Sequence, residues 1–175
     1  WQKALHLLSE SQARGVTANS VTYGAAINAC EKGHQWAWAL HLLAQAHKRC
    51  LPMAVVTCSS AISACEKSQR WEWALQLLLD MRLQGITGNL VSYAAAISAC
   101  ENGQQWEIAM ILLRGMRQGQ ILPNAVVHSA VLSACGKASE WERALAVHGQ
   151  LRQEQDTSRN AVLFTIVAQA CLAGY

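Results

Sequence analysis

Apolar residues recur along this chain at intervals of three and four positions, in short runs separated by polar residues. The run that begins at residue 90 places Tyr93, Ala96, Ile97 and Cys100 at positions i, i+3, i+4 and i+7. This spacing brings the four side chains to one side of an α-helix. The pattern therefore predicts a helix with one buried face.

A second helix is predicted after the polar residues 101–105. Trp106, Ala109, Met110 and Leu113 repeat the same spacing. An apolar stripe of this kind is typical of a helix that packs against a neighbour. The two runs together predict a pair of helices joined by a short polar turn.

Close copies of this pair occur throughout the chain, 35 residues apart. The predicted second helices begin at Trp1, Trp36, Trp71, Trp106 and Trp141, and the first helices carry Cys30, Cys65, Cys100 and Cys135. A period in the range of about 20–50 residues is typical of a solenoid, whose units bury their apolar faces against one another. We expect the repeated tryptophans to be buried between helices.

The period divides the chain into four complete units and two half units. A second helix alone occupies residues 1–19, complete pairs occupy 20–54, 55–89, 90–124 and 125–160, and a first helix alone occupies 161–175. The chain begins inside one unit and stops inside another. We therefore expect it to come from a longer array.

The predicted fold is all-α, a right-handed superhelical solenoid of antiparallel helix pairs with a 35-residue repeat. The first helices line the concave side in most such arrays, and residues that vary there between units are candidates for recognising a partner. They lie in the first turn of the first helix (Gly24, Ser59, Ala94, Ser129, Thr165) or just before it (Asn19, Ala54, Asn89, Asn124, Asn160). Serine and asparagine also cap helices, so a structural role stays open.

Composition narrows the possible functions. Charged residues make up 14% of the chain and apolar residues 52%, whereas roughly 25% of residues are charged in ordinary soluble domains. The formal net charge is +3, which is low for a protein that binds phosphate groups without selectivity. No uninterrupted apolar run approaches the ~18 residues of a membrane-spanning helix.

The seven cysteines and six histidines are not grouped as catalytic or metal-binding sites. The chain has no Cys-x-x-Cys pair, and most cysteines share one repeated position, where a reduced thiol acts as a small apolar side chain. We therefore expect free thiols, no metal, no cofactor and no enzymatic activity in this segment.

The sequence resembles the P-type pentatricopeptide repeat family. Val21-Thr22-Tyr23 and Val91-Ser92-Tyr93 match the opening of that family's repeats, and Ile121-Leu122-Pro123-Asn124 matches their close. The resemblance covers the whole chain. Tetratricopeptide repeats differ, because their tryptophan stands in the first helix rather than at the start of the second.

The resemblance implies binding of single-stranded RNA, with one base for each repeat and the two varying positions of each unit in contact with its edge. Val21, Val56, Val91, Val126 and Val162 match the family position that sandwiches bases, and Lys32, Lys67 and Lys137 match a lysine that approaches phosphate. Packing between repeats is the structural alternative for the valines, and solvated helix ends for the lysines.

The pairs Ser59–Asn89 and Ser129–Asn160 resemble adenine-selecting pairs, whereas Gly24 with Ala54 offers no side-chain hydrogen-bonding group. The resemblance also implies a mitochondrial or chloroplast location and a role in RNA processing, stability, editing or translation. A protein-binding helical scaffold similar to tetratricopeptide arrays is the alternative function.

Overall fold

The computed structural model describes residues 1–138 together with residues 140, 142, 143 and 145. This part of the chain contains eight α-helices and no strand. The helices are α1 (Gln2–Ala13), α2 (Ser20–Lys32), α3 (Trp36–Lys48), α4 (Val55–Lys67), α5 (Trp71–Leu83), α6 (Leu90–Asn102), α7 (Trp106–Gln118) and α8 (Ala125–Lys137). The predicted half repeat at 161–175 lies outside the described residues, as do Asn160, Val162 and Thr165.

The helices reproduce the 35-residue period. The first helices of the repeats, α2, α4, α6 and α8, each have 13 residues, and so do the second helices α3, α5 and α7. The described part is an all-α repeat solenoid, as predicted, and none of its helices is long and apolar enough to cross a membrane. The chain divides between Ala95 and Ala96 into two compact units.

First helices end in a turn that recurs along the array. The backbone N–H of Gln35 donates to the Cys30 carbonyl at 2.9 Å, and Gln105 donates to Cys100 at 2.8 Å. The residue before each donor is left-handed, with φ of 55° at His34. Such a residue lets the chain reverse while the last carbonyls of the helix keep hydrogen-bond partners. The second helix therefore starts within a few residues of the first.

In the unit formed by residues 1–95, α2 packs against both α3 and α4, and α4 packs against α5. Tyr23, Ile27 and Cys30 are fully buried on α2. The ends of α2 and α4 are also joined by polar contacts, because Lys67 Nζ lies 2.9 Å from Glu31 Oε1. In this unit, α2 therefore contacts its own second helix and the next first helix.

In the unit that begins at residue 96, α7 packs against α8. Leu113 and Met116 of α7 are buried, as are Val131 and Leu132 of α8. Glu101 is a polar link in this unit, since its Oε1 accepts from Ser133 Oγ at 2.7 Å and from Lys137 Nζ at 2.9 Å. The link repeats the contact between Glu31 and Lys67 two repeats earlier.

The repeated tryptophans are only half-buried, so the expectation that they are buried between helices is wrong. Trp36, Trp71 and Trp106 are each the first residue of a second helix, and each stays partly exposed. The Trp36 ring lies 6.2 Å from the Trp73 ring and 5.2 Å from the Arg70 guanidinium, measured to ring centroids. A side chain at the end of a helix covers the neighbouring turn and is not enclosed on all sides. The residue in the core is instead the alanine three positions later, because Ala39, Ala74 and Ala109 are all fully buried.

The cysteines of the first helices are buried free thiols, as predicted. Cys30, Cys65, Cys100 and Cys135 have no exposed surface. Burial raises the pKa of Cys65 and Cys100 to about 12, because the thiolate would lose its hydration. Within the described residues, no three His, Cys, Asp or Glu side chains are grouped to hold a metal ion.

We expect thiol-specific alkylation at pH 8 to separate these cysteines by burial. Cys50 is exposed, so it reacts within the time that a free peptide cysteine needs. Cys65 and Cys100 stay protonated and inaccessible, so they react only when the protein unfolds. Peptide mapping by mass spectrometry, with a urea-unfolded control, measures each site. Rapid labelling of Cys65 or Cys100 in the folded protein would show that the helices do not pack as described.

A raised thiol pKa also predicts how stability changes with pH. An unfolded chain ionises its thiols near pH 8.5, while Cys65 and Cys100 remain neutral until about pH 12. The folded state then binds more protons than the unfolded state, so this contribution to stability is complete below about pH 8.5 and declines between that pH and about 12. Urea unfolding at a series of pH values measures the decline. It should be shallower in Cys65→Ala, and an identical pH dependence in that variant would contradict the prediction.

Candidate nucleic-acid interface

Exposed valines mark the first turn of every described first helix. Val21, Val56, Val91 and Val126 are 75%, 70%, 56% and 63% exposed, whereas the isoleucines further along three of these helices, at 27, 62 and 97, are fully buried. The helical geometry explains this, because Val21 is two residues, or about 200°, away from the buried Tyr23. The valines therefore do not pack between repeats, and each presents an apolar side chain to the solvent.

Asparagine side chains cap three of the first helices. The Oδ1 atoms of Asn19, Asn89 and Asn124 accept the backbone N–H three residues later, at 3.0, 2.9 and 3.0 Å. The amide oxygens of these asparagines therefore act as helix caps, which is the structural role considered for them above. The amide nitrogen takes no part in the cap, because a backbone N–H must point at an acceptor.

The predicted pair Ser59 and Asn89 is brought together by the fold. Ser59 Oγ donates to the Val55 carbonyl at 2.8 Å and lies 3.2 Å from Asn89 Oδ1. Ser59 is only 3% exposed, whereas Asn89 is half-buried. Asn89 therefore presents its amide nitrogen outward, while Ser59 and the cap hold its oxygen in place.

The other predicted positions differ in what they offer. Ala54 is exposed at the start of α4 and makes no side-chain cap. A Cβ at Gly24 would lie 3.0 Å from Thr57 Oγ1, so this threonine occupies the space of a side chain there. Ala94 and Ser129 are half-buried. In the unit 20–54, therefore, neither predicted position supplies a polar side chain.

Two of the three predicted phosphate lysines form ion pairs. Lys67 contacts Glu31 and Lys137 contacts Glu101, each at 2.9 Å, while Lys32 is exposed. Both ammonium groups stay partly exposed, and pairs of this kind contribute about 0.2–1 kcal/mol. Sequence analysis missed the glutamates, although Glu31 and Glu101 recur at the repeat period. Glu31 and Glu101 partly neutralise the positive charge that Lys67 and Lys137 could offer to a phosphate group.

Sequence comparison matches most of the chain to one family. The family model described as pentatricopeptide repeat domain matches residues 41–103 and 76–138, and the model described as PPR repeat matches residues 126–155. Together the matches cover well over half of the chain. No curated protein matches the chain significantly.

Solved structures of the same architecture superimpose on nearly the whole chain. Pentatricopeptide repeat protein PPR10 from maize matches with a TM-score of 0.66 and 23% identity, over 99% of this chain and 27% of that one. PPR10 in complex with an 18-nt psaJ RNA element gives 0.80 and 24%, over 97% and 25%. The chain thus spans about a quarter of the length of PPR10.

A third structure covers a comparable length. The PPR domain of Arabidopsis thaliana protein-only RNase P 1, in complex with tRNA, gives a TM-score of 0.82 and 16% identity, over 96% of this chain and 89% of that one. At these identities the similarity establishes a shared fold.

The difference between Ala54 and Asn124 at the same cap position yields a stability prediction. We expect Ala54→Asn to raise the free energy of unfolding, because the introduced side-chain oxygen can accept the Thr57 N–H, as Asn124 accepts that of Val127. At present the Thr57 N–H donates only within the first turn, to the Ala54 carbonyl at 3.0 Å. We expect Asn124→Ala to lower the free energy of unfolding. Each change should be about 0.5–2 kcal/mol.

Urea unfolding followed by circular dichroism measures both variants. Ala54→Ser serves as the matched control, since a shorter cap should give a gain of the same sign. Opposite signs, with Ala54→Asn destabilising, would mean that the first turn of α4 does not have the cap geometry described.

Proposed function

The chain belongs to the pentatricopeptide repeat family, and on that premise we propose that it binds single-stranded RNA, with each repeat contacting one base. The supporting observation is the series of exposed valines beside asparagine caps at a 35-residue period. An exposed apolar side chain next to an amide suits a base, which has an apolar face and a polar edge. PPR10 and the RNase P domain, which share the fold, were solved in complex with RNA.

In the proposed complex, the valines cover the faces of the bases. Val21 and Val56 stand at the start of two first helices that pack against each other. A base that lies between two such side chains exchanges contact with water for contact with methyl groups. This contact does not distinguish one base from another, so it contributes affinity rather than selectivity.

Selectivity in the unit 55–89 would come from Asn89. Its oxygen accepts from Ser92 and lies near Ser59, so the outward group is the amide NH₂, a donor. Adenine has an acceptor at N1, whereas guanine has a donor at the same place. A fixed donor therefore favours adenine over guanine. Ser59, which is buried against Asn89, acts on the base chiefly by holding this amide in position.

Selectivity should be absent in the unit 20–54 and weak in the unit 90–124. Gly24 and Ala54 carry no polar side-chain atoms, so the unit 20–54 should accept any base. Ala94 with Asn124 supplies only one polar side chain. We infer that the Ser129–Asn160 unit also favours adenine, by analogy with Ser59 and Asn89. The array would thus read adenine at every second nucleotide.

The modest net charge of +3 predicts weak binding by this segment alone. Lys32 is exposed and suits a phosphate, whereas Lys67 and Lys137 share their charge with glutamates. We propose an organellar transcript, in mitochondria or chloroplasts, as the natural ligand, and a binding role without a bond-breaking step for this segment.

We expect Asn89→Asp to move the preference at one nucleotide from adenine to guanine. The aspartate can still cap Ser92 through one oxygen, while its second oxygen accepts from guanine N1–H and repels the N1 lone pair of adenine. The shift should be about 1–3 kcal/mol, the range for base-edge contacts in DNA complexes. Fluorescence anisotropy with RNAs that vary one nucleotide among A, G, C and U measures it.

Asn19→Asp is the matched control for this substitution. It places the same negative charge at an equivalent helix cap in another unit, so it should leave the order of preference at the nucleotide bound by the unit 55–89 unchanged. An unchanged order of preference in Asn89→Asp would remove Asn89 from base recognition. If the unmodified chain bound no RNA even at low salt, RNA binding itself would be refuted in favour of a protein-binding scaffold.

The lysine–glutamate pairs give a second test. We expect Lys67→Ala to reduce the slope of log K against log salt by about 0.7, the value for one phosphate contact on a single strand. Glu31→Gln should strengthen binding, since it frees the Lys67 ammonium. Salt titrations of both variants measure this. An unchanged slope in Lys67→Ala, together with lower thermal stability, would assign the lysine a structural role alone.

A further inference from the structure

Two of the four described first helices carry another residue where Tyr23 and Tyr93 stand, namely Cys58 in α4 and His128 in α8. Tyr23 of α2 and Cys58 of α4 are 35 residues apart and occupy the same position of the first helix, where Tyr93 stands in α6. A cysteine side chain is smaller than a tyrosine side chain by a whole phenol ring. The repeat that contains Cys58 therefore has space that the preceding repeat does not.

Tyr23 shows what fills this space in the preceding repeat. Its side chain is fully buried. Gln12 Nε2, at the end of α1, lies 3.4 Å from the Tyr23 hydroxyl. The Arg49 guanidinium, just after α3, lies 5.8 Å from the centre of the tyrosine ring. The ring is thus held between the ends of two successive second helices, with a polar group at its hydroxyl end.

An open cavity of about 470 Å³ lies between α3 and α5, and its lining includes Cys58, the residue that replaces the tyrosine. Its apolar walls are Leu40, Leu43, Met53, Trp73, Leu77 and Met81, and Cys58 lies at its inner side. The equivalent groove between α1 and α3 has a volume of about 410 Å³ and is lined by equivalent residues, such as Leu5 for Leu40 and Trp38 for Trp73. The two grooves differ in depth, because Cys58 lines the first, whereas Tyr23 does not line the second.

The polar end of the tyrosine site also has its equivalent in this cavity. His47 and Gln84 line the cavity, and they are 35 residues after Gln12 and Arg49, the two residues that contact Tyr23. Both side chains are exposed at the mouth. The cavity therefore retains the equivalents of the two residues that contact Tyr23, next to a cysteine that stands in the place of the tyrosine.

We propose that this cavity is a binding site for a small phenolic molecule, whose aromatic ring takes the place of the absent tyrosine ring and whose hydroxyl group contacts His47 or Gln84. The volume lies within the range of about 300–1,000 Å³ that is usual for small-molecule sites, and the combination of apolar walls with a few polar groups is typical of them. Apolar cavities left by a missing side chain bind aromatic rings of matching size. Apart from Met53, Cys58 and Gln84, the cavity is lined by residues of the second helices α3 and α5, whereas the proposed RNA contacts come from the first helices and the residues just before them.

The test uses p-cresol, which is the tyrosine side chain as a free molecule, and the four methionines as reporters. In protein labelled with ¹³C at the methionine methyl groups, p-cresol should shift the signals of Met53 and Met81, which line the cavity. The signals of Met110 and Met116 should not move. Toluene has the same shape without the hydroxyl, so it should bind about 2- to 10-fold more weakly, the value of one hydrogen bond.

Three variants test whether the shifts arise from binding in this cavity. Cys58→Tyr should abolish the shifts, because the ring then comes from the protein itself. Cys58→Ala keeps the cavity and removes the thiol, so binding should persist. If Cys58→Tyr does not fold, Ala44→Leu narrows the mouth at an exposed position and should weaken binding.

Each contrary result would overturn the proposal. Shifts that spread equally to Met110 and Met116, or that survive Cys58→Tyr, would mean that p-cresol binds elsewhere. Toluene binding as tightly as p-cresol would rule out a phenolic preference. Tighter binding of N-acetyltyrosine amide than of p-cresol would show that the site takes a tyrosine of another polypeptide rather than a small molecule.

Discussion

Small buried side chains on the first helices set how closely neighbouring repeats approach. Ala26 and Cys30 on α2 and Ala61 and Cys65 on α4 are almost completely buried, and these two helices pack against each other. A larger side chain at such a position would separate the helices and expose their apolar faces. Since a repeat cannot bury its own apolar surface, this close approach is the condition for every other contact in the stack. The repeated cysteine thus serves as a small apolar side chain that fits between helices. This role needs no disulfide, and every cysteine among the described residues is free.

The candidate interface also depends on the stacking of repeats, because its polar side chains form hydrogen bonds within the folded protein before any ligand is present. The oxygen of Asn89 is held by the Ser92 N–H and lies next to Ser59 of the preceding first helix. This arrangement fixes the amide before any ligand is present, so a base that meets its nitrogen need not order the side chain. Capping and recognition are therefore not alternatives at this residue. One atom of the amide stabilises the helix and the other remains available.

Sequence reasoning predicted the helical repeats and the buried cysteines, because several copies of one pattern agree where a single helix would be ambiguous. It failed for the tryptophans, since periodicity places Trp36 on the apolar side and at the start of a helix but does not show how much of such a terminal side chain its neighbours cover. It also missed the contact of Glu31 with Lys67 and the burial of Ser59, which depend on the neighbouring repeat. The apolar character of the valines alone suggests burial, so their exposure follows only from their angular position on the helix, about 200° from the buried Tyr23.

The polar links between successive first helices have nearly the same reach along the chain. In the described residues, these hydrogen bonds and ion pairs join positions 30 to 36 residues apart, as between Ser59 and Asn89 or Glu31 and Lys67. Added repeats therefore lengthen the protein without lengthening its contacts, so the contact order relative to chain length falls as the array grows. A chain built in this way can start to fold at any adjacent pair of repeats and extend from there in both directions. During synthesis, each new repeat can pack against the preceding one as soon as it has left the ribosome, long before the chain is complete.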